Sequence, residues 1–255
     1  AQNIDDICFS EGGLLRDEFT SLYPALFEKA DRHIEVVRAL GKKWKGLTRK
    51  QIVAQTGLSE GGTLSKILRE LIHSGFASSY YPFGKRKKEM LYRLTDEYSL
   101  FYLHFIERKR VQERGMWKSL SQTPVYKSWS GYAFESLCLK HIYQIKKALQ
   151  IGGIYSEAVS FTFAGNDELP GTQIDLLIDR NDSVINLCEL KFYDEPFTIS
   201  KSYAEQLARK RHVFKTVSKT RKQVFITLVT THGLQANPHS LGLVDSALDL
   251  NALFD

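Results

Sequence analysis

The 255-residue sequence predicts a mixed α/β protein of two domains, a helical N-terminal one and a C-terminal one whose helices flank a mixed sheet. Three observations carry this expectation. From residue 14 to 75, apolar residues recur at helical spacing and are punctuated by glycine. From residue 158 to 230 they fall instead into short runs bounded by turn-forming residues. The charge is also one-sided, with 19 Lys and Arg against 14 Asp and Glu in residues 1–110, and 16 against 15 in residues 111–255.

A hydrophobic content of 43% supplies apolar mass for one large core or two modest ones, and the length favours two. No apolar run approaches the roughly 18 to 20 residues that span a bilayer, and no charged-then-apolar leader opens the chain. The expectation is a cytoplasmic protein with no membrane partner. Cys8, Cys138 and Cys188 lack the paired spacing of a zinc site or disulfide frame, so they read as buried thiols.

The first helical segment covers residues 14–30, with Leu14, Leu15, Phe19, Leu22, Leu26 and Phe27 near helical spacing and Pro24 as its expected break. A second helix runs from Asp31 as N-cap through Ile34, Val37 and Leu40 to Gly41. Thr48-Arg-Lys-Gln51 is a capping box that opens a short helix ended by Gly57. Ser59 begins a longer one, with Leu64, Ile67, Leu68, Leu71 and Ile72 on one face and Gly75 after it. A short helix, a glycine turn and a longer amphipathic helix make a helix-turn-helix. Strand-like runs over 76–82 and 89–94 enclose the basic loop 83–88, which extends the motif to a winged helix.

Read as a DNA-binding module, this domain turns Thr63, Ser65, Lys66 and Arg69 toward a major groove. It sets Lys85, Arg86, Lys87 and Lys88 on phosphates, with Lys42, Lys43, Lys45, Arg49 and Lys50 nearby. A winged helix is equally a protein-contact module, and Gly61-Gly62 loosens the helix end that would enter the groove. Residues 92–106 predict an aromatic-rich helix capped by Thr95 or Asp96, whose rings read as packing. Residues 111–128, with Gly115, Trp117 and Pro124, read as a connector between domains 1–110 and 129–255.

The second half opens with a helix over 131–145, whose apolar stripe includes Phe134, Leu137, Cys138, His141 and Ile145 and has Glu135 beside it. A strand over 158–163 follows. Gly171 to Tyr193 then reads as a β-hairpin turning at 179–183. A helix over 199–216 and an apolar strand over 224–230 complete a mixed sheet with helices on its faces. Within the hairpin, Asp175 lies between Ile174 and Leu176, while Glu189 and Lys191 flank Leu190. Side chains at i and i+2 share a strand face, so Glu189 and Lys191 project together, and the turn brings Asp175 beside them. Two carboxylates and an ammonium among apolar strands need compensation, and a divalent cation would supply it.

Asp175, thirteen intervening residues and then Glu189-Leu190-Lys191 resemble the signature of the PD-(D/E)XK nuclease superfamily, with Ile174 where that pattern places proline. The resemblance implies a restriction-endonuclease-like α/β domain over 129–255, with Mg²⁺ or Mn²⁺ on Asp175 and Glu189. It also implies a further carboxylate from the first helix, which is Glu135 here, unless that residue is a surface glutamate. Lys191 would hold the nucleophile or stabilise developing negative charge. Gln206 would orient the lysine or a phosphate, or be an ordinary helix-surface glutamine.

Residues 9–19, 48–75 and 92–106 resemble the region behind the ATPase module of a prokaryotic AAA-type ATPase family, where a winged helix is fused to a PD-(D/E)XK-like domain. The phosphate-cradling motif itself is missing, because Gly57-x4-Gly62 is followed by Thr63 rather than Lys. With Ala1 in place of an initiator Met, the resemblance implies the C-terminal portion of a longer protein or a stand-alone relative. The expected function is magnesium-dependent hydrolysis of DNA phosphodiester bonds, with DNA and an ATPase module, in the same or another chain, as partners. The alternatives are a regulatory or DNA-binding module with a vestigial nuclease fold, and a partner-docking arm of an ATPase.

Overall fold

The architecture is that of a computed structural model, in which the described residues are 2–85, 89–107 and 115–254. The chain is mixed α/β and divides into two compact units, residues 1–80 with 87–129 and residues 81–86 with 130–255. Arg86, Lys87 and Lys88 lie outside the described residues. Among the described residues no helix is long and apolar enough to cross a membrane.

The first unit opens with α1 (Gln2–Ile4), which runs into a π-helical turn at Asp5–Phe9. α2 (Glu18–Leu26) starts later than its apolar spacing suggests, because residues 11–17 are turns and Leu14 is exposed. Gly13 permits this turn, since a Cβ there would lie 2.6 Å from the Ile7 carbonyl oxygen. Pro24 does not break α2 but sits within it, two residues before Leu26 and the extended Phe27 end the helix. α3 (Ala30–Gly41) follows, then β1 (Leu47–Thr48) and α4 (Arg49–Thr56). The expected capping box is formed in full: Gln51 N donates to Thr48 Oγ1, Thr48 N donates to Gln51 Oε1, and Gly57 closes the helix at φ 71°.

α5 (Gly62–His73) begins three residues after Ser59, since Gly61 is extended and serves as N-cap. β2 (Ala77–Tyr80) and β3 (Leu91–Leu94) are antiparallel, and β1 adds to β3 to give the order β1-β3-β2. β1 was not legible in the sequence because two residues carry no alternation.

Asp96 caps α6 (Glu97–Phe101) by accepting from Ser99 N, and a π-helical turn continues to Ile106. The rings of this stretch pack, as expected: Tyr102 stacks on Phe19 at 4.3 Å with the planes parallel to 1°, and Phe105 is buried. Within the expected connector, α7 (Met116–Leu120) and the start of α8 (Pro124–Lys140) are helical. Trp117 is the reason: it is buried in the first core, edge-on to Phe105 at 5.5 Å.

In the second unit the expected helix over 131–145 is interrupted at His141, so α8 ends at Lys140 and α9 spans Ile142–Ala148. β4 (Ser156–Phe163), β5 (Thr172–Arg180) and β6 (Val184–Lys191) form an antiparallel meander, with Ser183 in the β5–β6 turn at φ 67°. β7 (Phe197–Thr198) leads to α10 (Lys201–Ser218), which is capped by Ser200 and crosses over to β8 (Gln223–Thr230) parallel to β6. β9 (Leu234–Gln235) pairs with β7, and β10 (Ser246–Leu248) lies parallel to β8. The five-stranded order is therefore β10-β8-β6-β5-β4.

Leu176, Ile178, Cys188 and Leu190 pack with Phe134 and Cys138, whereas Leu177, Ile185 and Leu187 pack with Phe214. Helices thus cover both faces, which is why β6 is buried over Ile185–Leu190 instead of alternating. Residues 81–85 belong to this unit: Phe83 N donates to Ser160 O, and its ring lies edge-on to Phe214 at 5.3 Å. All three cysteines are free and buried, as expected.

Thr48→Ala removes one half of the capping box and should lower the stability of the first unit by about 1 kcal/mol. Trp44, Trp117 and Trp129 all lie in that unit, so urea denaturation followed by tryptophan fluorescence reads it directly. A change of only a few tenths of a kcal/mol would mean that the cap is not holding α4.

Candidate active site

β6 is the central strand, and it carries Glu189 and Lys191. Ile185, Leu187, Glu189 and Lys191 alternate onto the face covered by α10, so the strand period that buries two aliphatic side chains also delivers a carboxylate and an ammonium to that helix. The β5–β6 register pairs Leu176 with Cys188. Asp175 and Glu189 stand one residue further along their strands, as the hairpin reading requires.

Glu189 is 3% exposed. Its oxygens accept from Lys210 Nζ at 2.7 and 3.0 Å and from Tyr203 Oη at 3.1 Å, and Lys191 Nζ lies 3.1 Å away. Tyr203 and Lys210 are seven residues apart on α10, two turns along one face. Burial alone pushes the Glu189 carboxyl up, but the ammonium charges of Lys210 and Lys191 more than reverse this and hold it below the ordinary range. Lys191 behaves likewise: burial works against its charge, and Glu189, then Glu135 and Asp175, restore it and raise its pKa. Burial raises the Tyr203 hydroxyl, and Glu189 raises it further, so it stays a neutral donor.

The predicted residues are therefore brought together in part. Glu189 and Lys191 touch, while Asp175 and Glu135 stand close enough to favour the lysine's charge. Asp175 accepts from Gln173 Nε2 at 2.6 Å. Gln206, on α10 between Tyr203 and Lys210, is exposed and has no hydrogen bond to Glu189 or Lys191 among the described residues. Thr230 pairs with Lys191 across β6–β8, is 1% exposed, and has a buried hydroxyl without a hydrogen-bond partner. Among the described residues no three His, Cys, Asp or Glu side chains are grouped closely enough to hold a metal ion.

Sequence reasoning missed Lys210 and Tyr203. The run Arg209-Lys210-Arg211 reads as surface charge, and nothing in it distinguishes the one cation that turns inward. The seven-residue spacing from Tyr203 is the only signal, and it needs the helix to be docked before it means anything.

In the first unit, Lys66 and Arg69 are both exposed on α5, and Lys66 lies 3.7 Å from Glu70. Glu70 also meets the buried His33, at 2.9 Å from its Nε2. Lys85 is exposed but belongs to the second unit, and its three expected companions are outside the described residues. No protein-family model, curated protein or solved structure matches this chain.

The Glu189 pair should be visible as pH-dependent stability. Because its carboxyl is held below the ordinary value of 4.5, its stabilisation is complete above that pH and is lost as pH falls through the lowered value. Glu189→Gln should cost about 3 kcal/mol at pH 7 and less at pH 3, giving a flatter profile in urea titrations followed by circular dichroism. Equal losses at both pH values would show that the ion pair contributes nothing to stability.

Proposed function

We propose that the second unit is a restriction-endonuclease-like domain, preceded by a winged helix, and that it hydrolyses DNA phosphodiester bonds with a divalent cation. The observation that carries this is the placement of Glu189 and Lys191, 3.1 Å apart on one face of the central strand, with Asp175 across from them on β5. The donors suit such an ion in kind: carboxylate oxygens are the hard ligands Mg²⁺ prefers, and the Thr230 hydroxyl beside Lys191 lacks a partner. Asp175 and Glu189, with Glu135, would hold the cation. When bound it supplies charge that offsets the build-up on phosphorus oxygens and acidifies water.

In the cation-free protein the carboxylate neighbours of Lys191 favour its charged form, and an ammonium there would donate to a phosphate oxygen. Tyr203 fixes the Glu189 carboxylate through its hydroxyl. Arg209, Arg211, Lys215, Lys219 and Arg221, on or just after α10, have no salt bridge among the described residues, and a polyanion would complement them. In the first unit, Lys66 and Arg69 would contact the DNA backbone. A second reading, a regulatory module with a nuclease-like fold, is favoured by one observation: Lys210 already bonds both Glu189 oxygens.

Two measurements test these readings. Calorimetry should detect Mn²⁺ or Mg²⁺ binding that Asp175→Asn greatly weakens. Lys191→Ala should leave folding intact while abolishing cation-dependent cleavage of a panel of duplex, single-stranded and branched DNA. A chain that binds no cation and cuts nothing, with an ATPase partner supplied, leaves the regulatory reading.

For the first unit, neutralising Lys66 and Arg69 together should flatten the slope of log K against log salt for duplex DNA by about 1.8, roughly 0.9 for each phosphate that is no longer neutralised. An unchanged slope would make that helix a protein-contact surface.

A further inference from the structure

Glu189 has two oxygens, and Lys210 bonds both. Lys191 is placed differently: it reaches only Oε1, its side chain is 36% exposed, and Glu135 and Asp175 stand near enough to share its charge. Lys210 is 17% exposed and has no acidic partner besides Glu189 among the described residues. The two cations are therefore not equivalent. One is shared among three carboxylates, and the other is committed to a single one.

A magnesium ion binds carboxylate oxygens at about 2.0 to 2.1 Å, well inside the distance of an ammonium hydrogen bond. Ammonium and dication compete for the same carboxylate, because Lys210 already takes a lone pair on each oxygen and the two cations repel. Lys210 can swing away from Glu189, since its four-carbon stem is flexible and its helix neighbours Arg209 and His212 are exposed. Lys191 can stay, because Asp175 and Glu135 remain to balance it.

We propose that Lys210 is a positioning residue that stands in for the divalent cation: it holds Glu189 in the cation-free protein and must be displaced before the cation binds. The inference rests on the cation-dependent reading above and adds to it a built-in competitor. A carboxylate held by Lys210 is turned toward α10 rather than gathered with Asp175 and Glu135, which accords with the lack of a three-carboxylate group among the described residues. Cation affinity is then set by an exchange, in which one ion pair is given up for each dication bound.

The test titrates Mn²⁺ into the full chain and into Lys210→Met by calorimetry, and melts both in EDTA and in Mn²⁺. The variant should bind Mn²⁺ at least about tenfold more tightly. Its melting temperature should fall in EDTA and recover on adding Mn²⁺ by more than the unmutated chain gains. A residue with only a structural role would lower the melting temperature equally in both solutions.

Lys210→Gln, which keeps a hydrogen-bond donor without the charge, repeats the comparison with less disturbance. On the unmutated chain, acylation of lysines followed by mass spectrometry should find Lys210 protected in EDTA and labelled at saturating Mn²⁺. Mn²⁺ binding that is equal or weaker in both variants, or Lys210 protection unchanged at saturation, overturns the exchange while leaving the cation site standing. If neither the unmutated chain nor the variants bind Mn²⁺, the cation-dependent reading falls, and the exchange falls with it.

Discussion

A carboxylate buried on the central strand is the constraint around which the second unit is built. Glu189 has β5 on one side of its strand and β8 on the other, with helices over both sheet faces, so water cannot neutralise it. Left alone it would cost several kcal/mol. Lys210, Tyr203 and Lys191 meet that cost, and two of the three come from α10. The helix is consequently held in register twice, by Leu207 and Phe214 against the sheet and by the polar clamp of Tyr203 and Lys210 on Glu189. Sliding α10 by one turn would break the clamp even if new apolar contacts formed. Site geometry and fold stability thus draw on the same few interactions.

The first unit is organised by a different force. Its core is dense in aromatic rings, with Phe19, Tyr23, Phe105 and Trp117 buried and packed face to face or edge to face. Such rings combine large buried area with preferred angles, and the one carboxylate buried among them, Asp5, accepts from Trp117 N at 2.8 Å. Tyr23 and Ser99 share a buried hydrogen bond at 2.7 Å, which satisfies the phenol where it would otherwise be costly. The α5 cations remain outside, and Lys66 is partly balanced by Glu70.

The electrostatic character of the two units also differs in kind. In the first, apart from Asp5 and the His33–Glu70 contact, charge is spread over exposed helix faces, where salt screens it and single pairs contribute little. In the second, opposite charges are concentrated at one buried point, where each pair matters more and each titration affects folding. An exchange of partners on Glu189 would therefore be felt by α10 as well as by a ligand. That coupling follows from the placement of the carboxylate and needs no separate mechanical device.

The local elements were legible in the sequence because their causes are local. The Thr48–Gln51 box, the glycine stops, the hairpin from Thr172 to Lys191 and the period-two placement of Glu189 with Lys191 each depend on residues near one another in the chain. Elements of two or three residues, such as β1, β7 and β10, carry no period and were decided by the strands they pair with. Trp117 made part of an apparent connector into core, which no count of nearby prolines or glycines could reveal. The pairing of Asp175, Glu189 and Lys191 followed from sequence alone. That Glu189 is held by Lys210 and Tyr203, and that Gln206 stays outside, followed only from docking a helix against a sheet, because burial and charge at one point are properties of the assembled unit and not of any segment.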